Sequence, residues 1–221
     1  RIRHHGDKLA AVIIEPVVER EPPREWLATL REETRRSGAV LILDEIKTGF
    51  RLAVGGAAER YDIRPDLVVL GKALANGFPL AAVGGRREVM EQARRTWISS
   101  TLATEMVALA AAEATVEVTV REEVPAQLGS RGSRLLAGLN SLAARYPGLI
   151  DQVAGLPEMC YLRFTDEANG PLVARAAATC GLLWKRSAYN FVSLAHDDAA
   201  IDRGLDLLDA ACSKVDSRHA G

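Results

Sequence analysis

Short apolar runs alternate with amphipathic stretches along the first two thirds of the chain. Residues 10–14, 40–43, 67–70 and 80–83 are mostly apolar, which is typical of strands buried on both faces of a parallel sheet. Apolar residues recur at helical spacing between Trp26 and Arg36, and Gly38 is a natural helix end. Further helices are predicted near 88–95, 105–118 and 124–145. This alternation predicts an α/β fold with a mostly parallel sheet.

The pattern changes after Pro147-Gly148, a dipeptide that marks a boundary. Beyond it, strands are predicted near 159–164 and 191–195, and helices near 172–180 and 201–211. This arrangement is typical of a small α+β domain. We therefore expect two domains, residues 1–147 and residues 148–221.

Composition narrows the class of protein. The 221 residues are 48% hydrophobic and 26% charged, with a net charge of −1, which gives no reason to expect a nucleic-acid or membrane partner. The three cysteines are widely spaced and odd in number, so neither a disulfide framework nor a metal site is expected. Reduced core thiols in a cytoplasmic protein are the expectation.

Three charged residues follow three of the predicted strands: Glu15, Asp44 and Lys72. Ligands of parallel sheets gather at the carboxyl ends of strands, so these side chains are expected to share one edge. Taken alone, Asp44 is a turn cap and Lys72 a surface lysine. Together they suit pyridoxal 5'-phosphate, whose aldehyde needs an amine and whose ring nitrogen needs a carboxylate.

The stretches "AAVIIEPV", "GAVLILDEIKTGFR" and "RPDLVVLGKALANGFPLAAVGGRREVM" closely resemble class III pyridoxal-phosphate-dependent aminotransferases. Within that family they look most like the glutamate-1-semialdehyde 2,1-aminomutase branch, and the spacing of Asp44 and Lys72 matches the family. The resemblance implies the fold-type I architecture. This chain would be its C-terminal half, with part of the large domain and the small C-terminal domain.

The resemblance also implies roles for single residues. Lys72 would form the internal aldimine and then shuttle the substrate proton, and Asp44 would hold the pyridinium proton. Ile46 would pack on the ring, although core packing explains it equally well from the residues alone. In "WISSTLATEMVALAAA", Thr101 would bind the phosphate of the neighbouring subunit's cofactor, which implies a homodimer of the full-length protein; otherwise it is an ordinary residue before a helix.

The implied reaction is amino-group transfer between a small amino acid or amine donor and a carbonyl acceptor. Glutamate-1-semialdehyde aminomutase is the alternative, but the stretch Tyr189-Asn190-Phe191 lacks the glutamate of that branch. A decarboxylating relative is a further possibility. A non-catalytic truncated chain is the remaining alternative, because the family's Gly-Ser/Thr-rich phosphate loop has no counterpart here.

Overall fold

In the computed structural model, which describes residues 1–98, 101–103 and 105–219, the early apolar runs form a four-stranded sheet. Its strands lie in chain order and are β1 Ala11–Ile14, β2 Val40–Asp44, β3 Leu67–Leu70 and β4 Ala82–Gly85. The first three are parallel and β4 is antiparallel to β3. The expected mostly parallel sheet is therefore confirmed.

Strand β1 differs from its expected burial on both faces. It is the outermost strand of the described sheet and pairs only with β2, so Ile13 remains 61% exposed. On β2, by contrast, Leu41 and Leu43 are fully buried. An apolar run identifies a strand but does not distinguish a central strand from an edge strand.

The first part of the chain also contains helices. They are α1 Ile2–His5, α2 Arg24–Ser37, α3 Gly56–Arg60, α4 Arg87–Met90 and α5 Met106–Arg121. Helix α2 buries Leu27 and Leu30. It ends as expected at Gly38, whose φ of 74° lies in the left-handed region and whose N–H donates to carbonyl oxygens of the last helical turn. The helix expected at 88–95 is divided into α4 and a 3-10 helix, Glu91–Arg95.

A second, antiparallel sheet lies in the last part of the chain, in the order β5-β6-β7. Its elements are helix α6 Val124–Arg145, strands β5 Ile150–Leu156 and β6 Met159–Phe164, helix α7 Asn169–Thr179, strand β7 Asn190–Phe191 and helix α8 Asp198–His219. Strand β5 was not expected from the sequence. The strand expected at 191–195 is only two residues long, because residues 193–196 turn back through a Ser193–His196 hydrogen bond.

The chain separates into two compact units, residues 1–18 with 22–125 and residues 19–21 with 126–221. Almost all of helix α6 belongs to the second unit, because Leu139 and Leu142 are buried in that unit's core with Leu149 and Val173. The division into functional domains after residue 147 stays a prediction.

The cysteines follow expectation, since Cys160, Cys180 and Cys212 are free thiols. Burial raises the pKa of both Cys160 and Cys212 to about 12, so these two thiols remain protonated. Among the described helices, none combines the length and hydrophobicity that crossing a bilayer would require.

Candidate active site

The carboxyl edge of the first sheet brings the expected charged residues together. Asp44 is the last residue of β2 and is in register with Val69 of β3, and Lys72 comes two residues after the end of β3. Glu15 directly follows β1, which is parallel to β2. The three strands end at one edge, and the sequence-based placement of these residues there is confirmed.

Lys72 has an unusual backbone conformation. Its φ is +44°, in the left-handed region that costs a non-glycine residue roughly 1 kcal/mol, and it begins a short 3-10 turn, Lys72–Leu74. Its carbonyl accepts the N–H of Asn76 at 3.0 Å. The side chain is exposed, and Nζ forms no ion pair with any residue that the structure describes. The amine is therefore available at the sheet edge.

The turn that carries Lys72 is anchored by packing. Leu74 and Ala75 are buried against Ala112 of helix α5. Four partly buried side chains complete this cluster: Phe50, Leu70, Leu80 and Val116. The strained lysine is thus held between the end of a strand and a helix-packed turn, which compensates for its conformational cost.

Asp44 is half-buried and has unused hydrogen-bonding capacity. Its Oδ1 accepts the backbone N–H of Ile46 at 3.1 Å, and no Arg or Lys of the described chain is paired with it. A carboxylate accepts up to about four hydrogen bonds. Asp44 can therefore accept a further N–H, and with the available Lys72 amine this donor set fits the two groups of pyridoxal phosphate that need partners.

Ile46 lies close to Gly71, the residue before Lys72. Its Cγ1 and Cγ2 atoms are each 3.6 Å from the position that a Cβ on Gly71 would occupy, beside Lys72. An apolar side chain is therefore placed at the same edge as the carboxylate and the amine. The predicted site residues Asp44, Ile46 and Lys72 are brought together.

Thr101 is not joined to this group within the described chain. It is exposed in the turn at residues 101–103, before helix α5, and its side chain makes no hydrogen bond to Asp44 or Lys72. Its neighbours Ser99, Ser100 and Thr104 lie outside the described residues. The cap of α5 is Glu105, which accepts the N–H groups of Val107 and Ala108.

Lys47 has a clear partner at this edge. Its Nζ lies 2.8 Å from a carboxylate oxygen of Glu15, and its side chain is only 13% exposed. This contact joins the ends of β1 and β2. The ion pair gives Glu15 and Lys47 a structural role at this edge.

Glu45, next to Asp44, was missed as a functional residue. It is 1% exposed, and its carboxylate accepts the Thr48 hydroxyl and the N–H groups of Ala57 and Ala58. Its own N–H donates to Val69 of β3. Glu45 therefore fixes the loop that carries Ile46. The Gly55-Gly56 pair was the available signal, because such glycines allow close backbone approach.

Comparison with known proteins agrees with this geometry. The family described as Aminotransferase class-III matches residues 1–212. The chain belongs to the class-III aminotransferase family. The resemblance carried by the strand-end motifs is thereby confirmed.

Curated relatives in the family are named glutamate-1-semialdehyde 2,1-aminomutase. The protein of Thermomicrobium roseum is 36% identical over 96% of this chain and 54% of its own length. That of Pyrobaculum neutrophilum is 32% identical over 98% of this chain and 56% of its own length. The chain thus spans about half the length of the curated relatives it matches.

Solved structures share the fold. The pyridoxal-phosphate internal aldimine form of the FumI protein from Sphingopyxis sp. MTA144 has a TM-score of 0.92 and 26% identity, covering 100% of this chain and 55% of that one. An omega-transaminase from Sphaerobacter thermophilus has a TM-score of 0.84 and 26% identity, covering 97% of this chain and 54% of that one. The fold-type I assignment is confirmed.

Proposed function

We propose that this chain is part of an enzyme that transfers an amino group between an amino acid or amine donor and a carbonyl acceptor, using pyridoxal 5'-phosphate. The observation that carries the proposal is the presence of Asp44 and Lys72 at one edge of adjacent parallel strands, in a chain of the class-III family. The bound cofactor supplies an electron sink for the substrate's carbanion. The substrates are small molecules, and the full-length protein is a homodimer.

Lys72 is the proposed catalytic amine. Its Nζ would hold the cofactor at the aldehyde carbon and, when free, would take the proton from the substrate carbon and return it. An amine with this task must be able to give up its proton, which a tight ion pair would oppose. The absence of such a pair among the described residues supports this role.

Asp44 and Ile46 are proposed to hold the cofactor ring. The Asp44 carboxylate would keep a proton on the ring nitrogen, and its single described hydrogen bond leaves room for that contact. Ile46 would pack on the ring and exclude water from it. Thr101 would donate its hydroxyl to the phosphate held by the neighbouring subunit, a role supported by its exposed position before α5.

A second candidate is the intramolecular transfer catalysed by glutamate-1-semialdehyde 2,1-aminomutase, the name that the curated relatives carry. The Tyr189-Asn190-Phe191 stretch favours the intermolecular reaction, because it lacks the branch's glutamate. Assays of the full-length protein separate the two: an aminomutase converts glutamate 1-semialdehyde with no added acceptor, whereas a transaminase requires a separate donor and acceptor.

Covalent trapping tests the assignment of Lys72 on the 221-residue chain. The chain is incubated with pyridoxal phosphate, reduced with borohydride and digested, and the modified peptides are identified by mass spectrometry. The chain has five lysines. We expect labelling at Lys72 before the other four, with weak overall affinity because phosphate contacts normally supply much of it.

Lys72→Ala and Lys185→Ala form the matched pair for this experiment, since both side chains are exposed lysines. Lys72→Ala is expected to remove the selective label, and Lys185→Ala to leave it unchanged. Equal labelling of all lysines, or the same stoichiometry in Lys72→Ala, would reject Lys72 as the cofactor amine and favour a non-catalytic chain.

A further inference from the structure

An apolar cavity of about 540 Å³ lies in the second compact unit. Ala174 of helix α7, Ile201 and Leu208 of helix α8, and Val192 after β7 are among its lining residues. This volume lies within the range of small-molecule sites, which are typically apolar with a few placed polar groups. None of its lining residues belongs to the first unit.

Besides Trp184, the polar side chains among the described lining residues are those of Lys185, Tyr189, Asn190 and His196. Lys185 is exposed and forms no ion pair within the described chain. His196 accepts the N–H of Ser193 on Nδ1 at 3.0 Å, so its neutral ring carries its proton on Nε2. The side-chain oxygen of Asn190 is already bonded to the N–H of Lys185 at 2.9 Å. No acidic residue is among the described residues that line the cavity.

Trp184 adds an independent observation. Its ring lines the cavity, and its Nε1 is buried without a hydrogen-bond partner in the described structure. Such a donor normally has a partner, and leaving it unsatisfied costs roughly 1–3 kcal/mol. Because Nε1 is buried, Trp184 contributes the apolar part of its ring to the cavity lining.

We propose that this cavity binds a small carboxylate with an aromatic or branched apolar body. The apolar lining accommodates the body, while Lys185 and His196 supply the ammonium and the ring N–H for the anionic end. Charge complementarity selects the class: a cationic side chain and no acid among the described lining residues favour an anion over an amine or a neutral ligand. The site does not depend on pyridoxal phosphate.

Binding of 4-phenylbutyrate to the cofactor-free chain tests the proposal, with 4-phenylbutan-1-ol as a neutral probe that has the same apolar body. The chain has three tryptophans, and Trp97 and Trp26 are 94% and 49% exposed, so replacing both by Phe leaves Trp184 as the fluorescent reporter. We expect the carboxylate to change this fluorescence and to bind about tenfold more tightly than the alcohol.

Three variants locate the ligand. Gly204→Leu fills the cavity, because the nearest atom to a Cβ at Gly204 would be Leu182 Cδ1, at 3.9 Å. This variant is expected to abolish binding of both probes. Ala200→Leu, on the same helix, is the second filling variant if Gly204→Leu does not fold. Lys185→Met is expected to weaken the carboxylate about tenfold while leaving the alcohol unchanged.

Lys72→Ala is the control that separates this proposal from the proposed function. It removes the proposed cofactor amine, and it should leave 4-phenylbutyrate binding unchanged. Equal affinity for the two probes, unchanged binding in a folded cavity-filling variant, or loss of binding in Lys72→Ala would each overturn the proposed site.

Discussion

Asp66 shows how a single carboxylate can organise several elements of the first unit. It accepts two hydrogen bonds from Arg31 of α2, one from Arg86 after β4, and the backbone N–H of Leu41 in β2. Burial acts to raise the pKa of Asp66, but these hydrogen bonds outweigh it and lower the pKa from 3.8 to about 2. The ionised carboxylate therefore stabilises the fold.

The lowered pKa predicts an acid-dependent loss of stability. Above pH 3.8 the carboxylate is ionised in both folded and unfolded chains, and its full contribution of about 2 kcal/mol is present. As the pH falls from 3.8 to about 2, the unfolded chain binds the proton first and this contribution is lost. We expect Asp66→Asn to be less stable than the wild type at pH 7, by urea denaturation, and the difference to shrink across this interval.

Asp202→Asn is the control for that measurement, because it removes an exposed ion pair with Arg134 rather than a buried network. Its effect at pH 7 should be below about 1 kcal/mol. A constant difference between wild type and Asp66→Asn from pH 7 to pH 2 would contradict the assignment of this titration to Asp66.

The buried Glu45 predicts that Gly56 cannot be replaced. A Cβ at Gly56 would lie 2.4 Å from Glu45 Oε2, at a position with φ of +69°. Gly56→Ala should therefore destabilise the chain by about 2–4 kcal/mol through strain and the disturbed carboxylate. Gly38→Ala is the matched control, since Gly38 has φ of +74° but open space around it. Equal losses in urea denaturation would show that the contact with Glu45 contributes nothing.

At the scale of elements, the glycines of helix α6 predict substitutions of opposite sign. A Cβ at Gly132 would lie 2.1 Å from the carbonyl oxygen of Pro157, in the turn between β5 and β6, so Gly132→Ala should destabilise the second unit by about 2 kcal/mol or more. At Gly129 the nearest contact would be an ordinary 3.4 Å, so Gly129→Ala should stabilise it by up to about 1 kcal/mol.

Thermal unfolding followed by circular dichroism compares the two alanine variants on one helix. Equal stability of Gly132→Ala and Gly129→Ala would show that the close packing of helix α6 against the β5–β6 turn does not contribute to the stability of the second unit.

The same elements show what the sequence can and cannot predict. Helix α2 was predictable because its apolar spacing and Gly38 are local signals. The exposure of Ile13 and the antiparallel direction of β4 depend on neighbours far along the chain, which an apolar run does not encode. Strand β5 was missed because residues 150–156 are mixed in polarity, and its pairing with β6 defines it.

For the candidate site, the residue types at strand ends were sufficient to bring Asp44, Ile46 and Lys72 to one edge. The support beneath them was not predictable. The burial of Glu45 and the left-handed φ of Lys72 arise from tertiary packing. The Gly55-Gly56 pair allows a close backbone approach but does not identify Glu45 as the residue that makes it.

At the scale of the whole molecule, the first unit carries exposed apolar side chains that predict self-association of the 221-residue chain. Trp97, Ile98 and Met106 are 94%, 75% and 73% exposed, and Val107 is 58% exposed. Such surface favours association. We expect oligomers in sedimentation velocity, and fewer of them in the double variant Met106→Gln, Val107→Gln.

Leu183→Gln is the control for self-association, since Leu183 is 92% exposed but belongs to the second unit. It should leave the distribution of sizes nearly unchanged. A stable monomer of the unsubstituted chain across the concentration series would refute the prediction.

The backbone conformation of Lys72 has a practical consequence for the choice of a substitution at the proposed cofactor amine. At φ of +44° an alanine retains the strain of the lysine, whereas a glycine does not. Lys72→Gly should therefore be more stable than Lys72→Ala by about 1 kcal/mol in urea denaturation, and equal stabilities would argue against this conformation. The lysine is thus kept at a cost in conformational energy, and a glycine at this position removes that cost together with the amine.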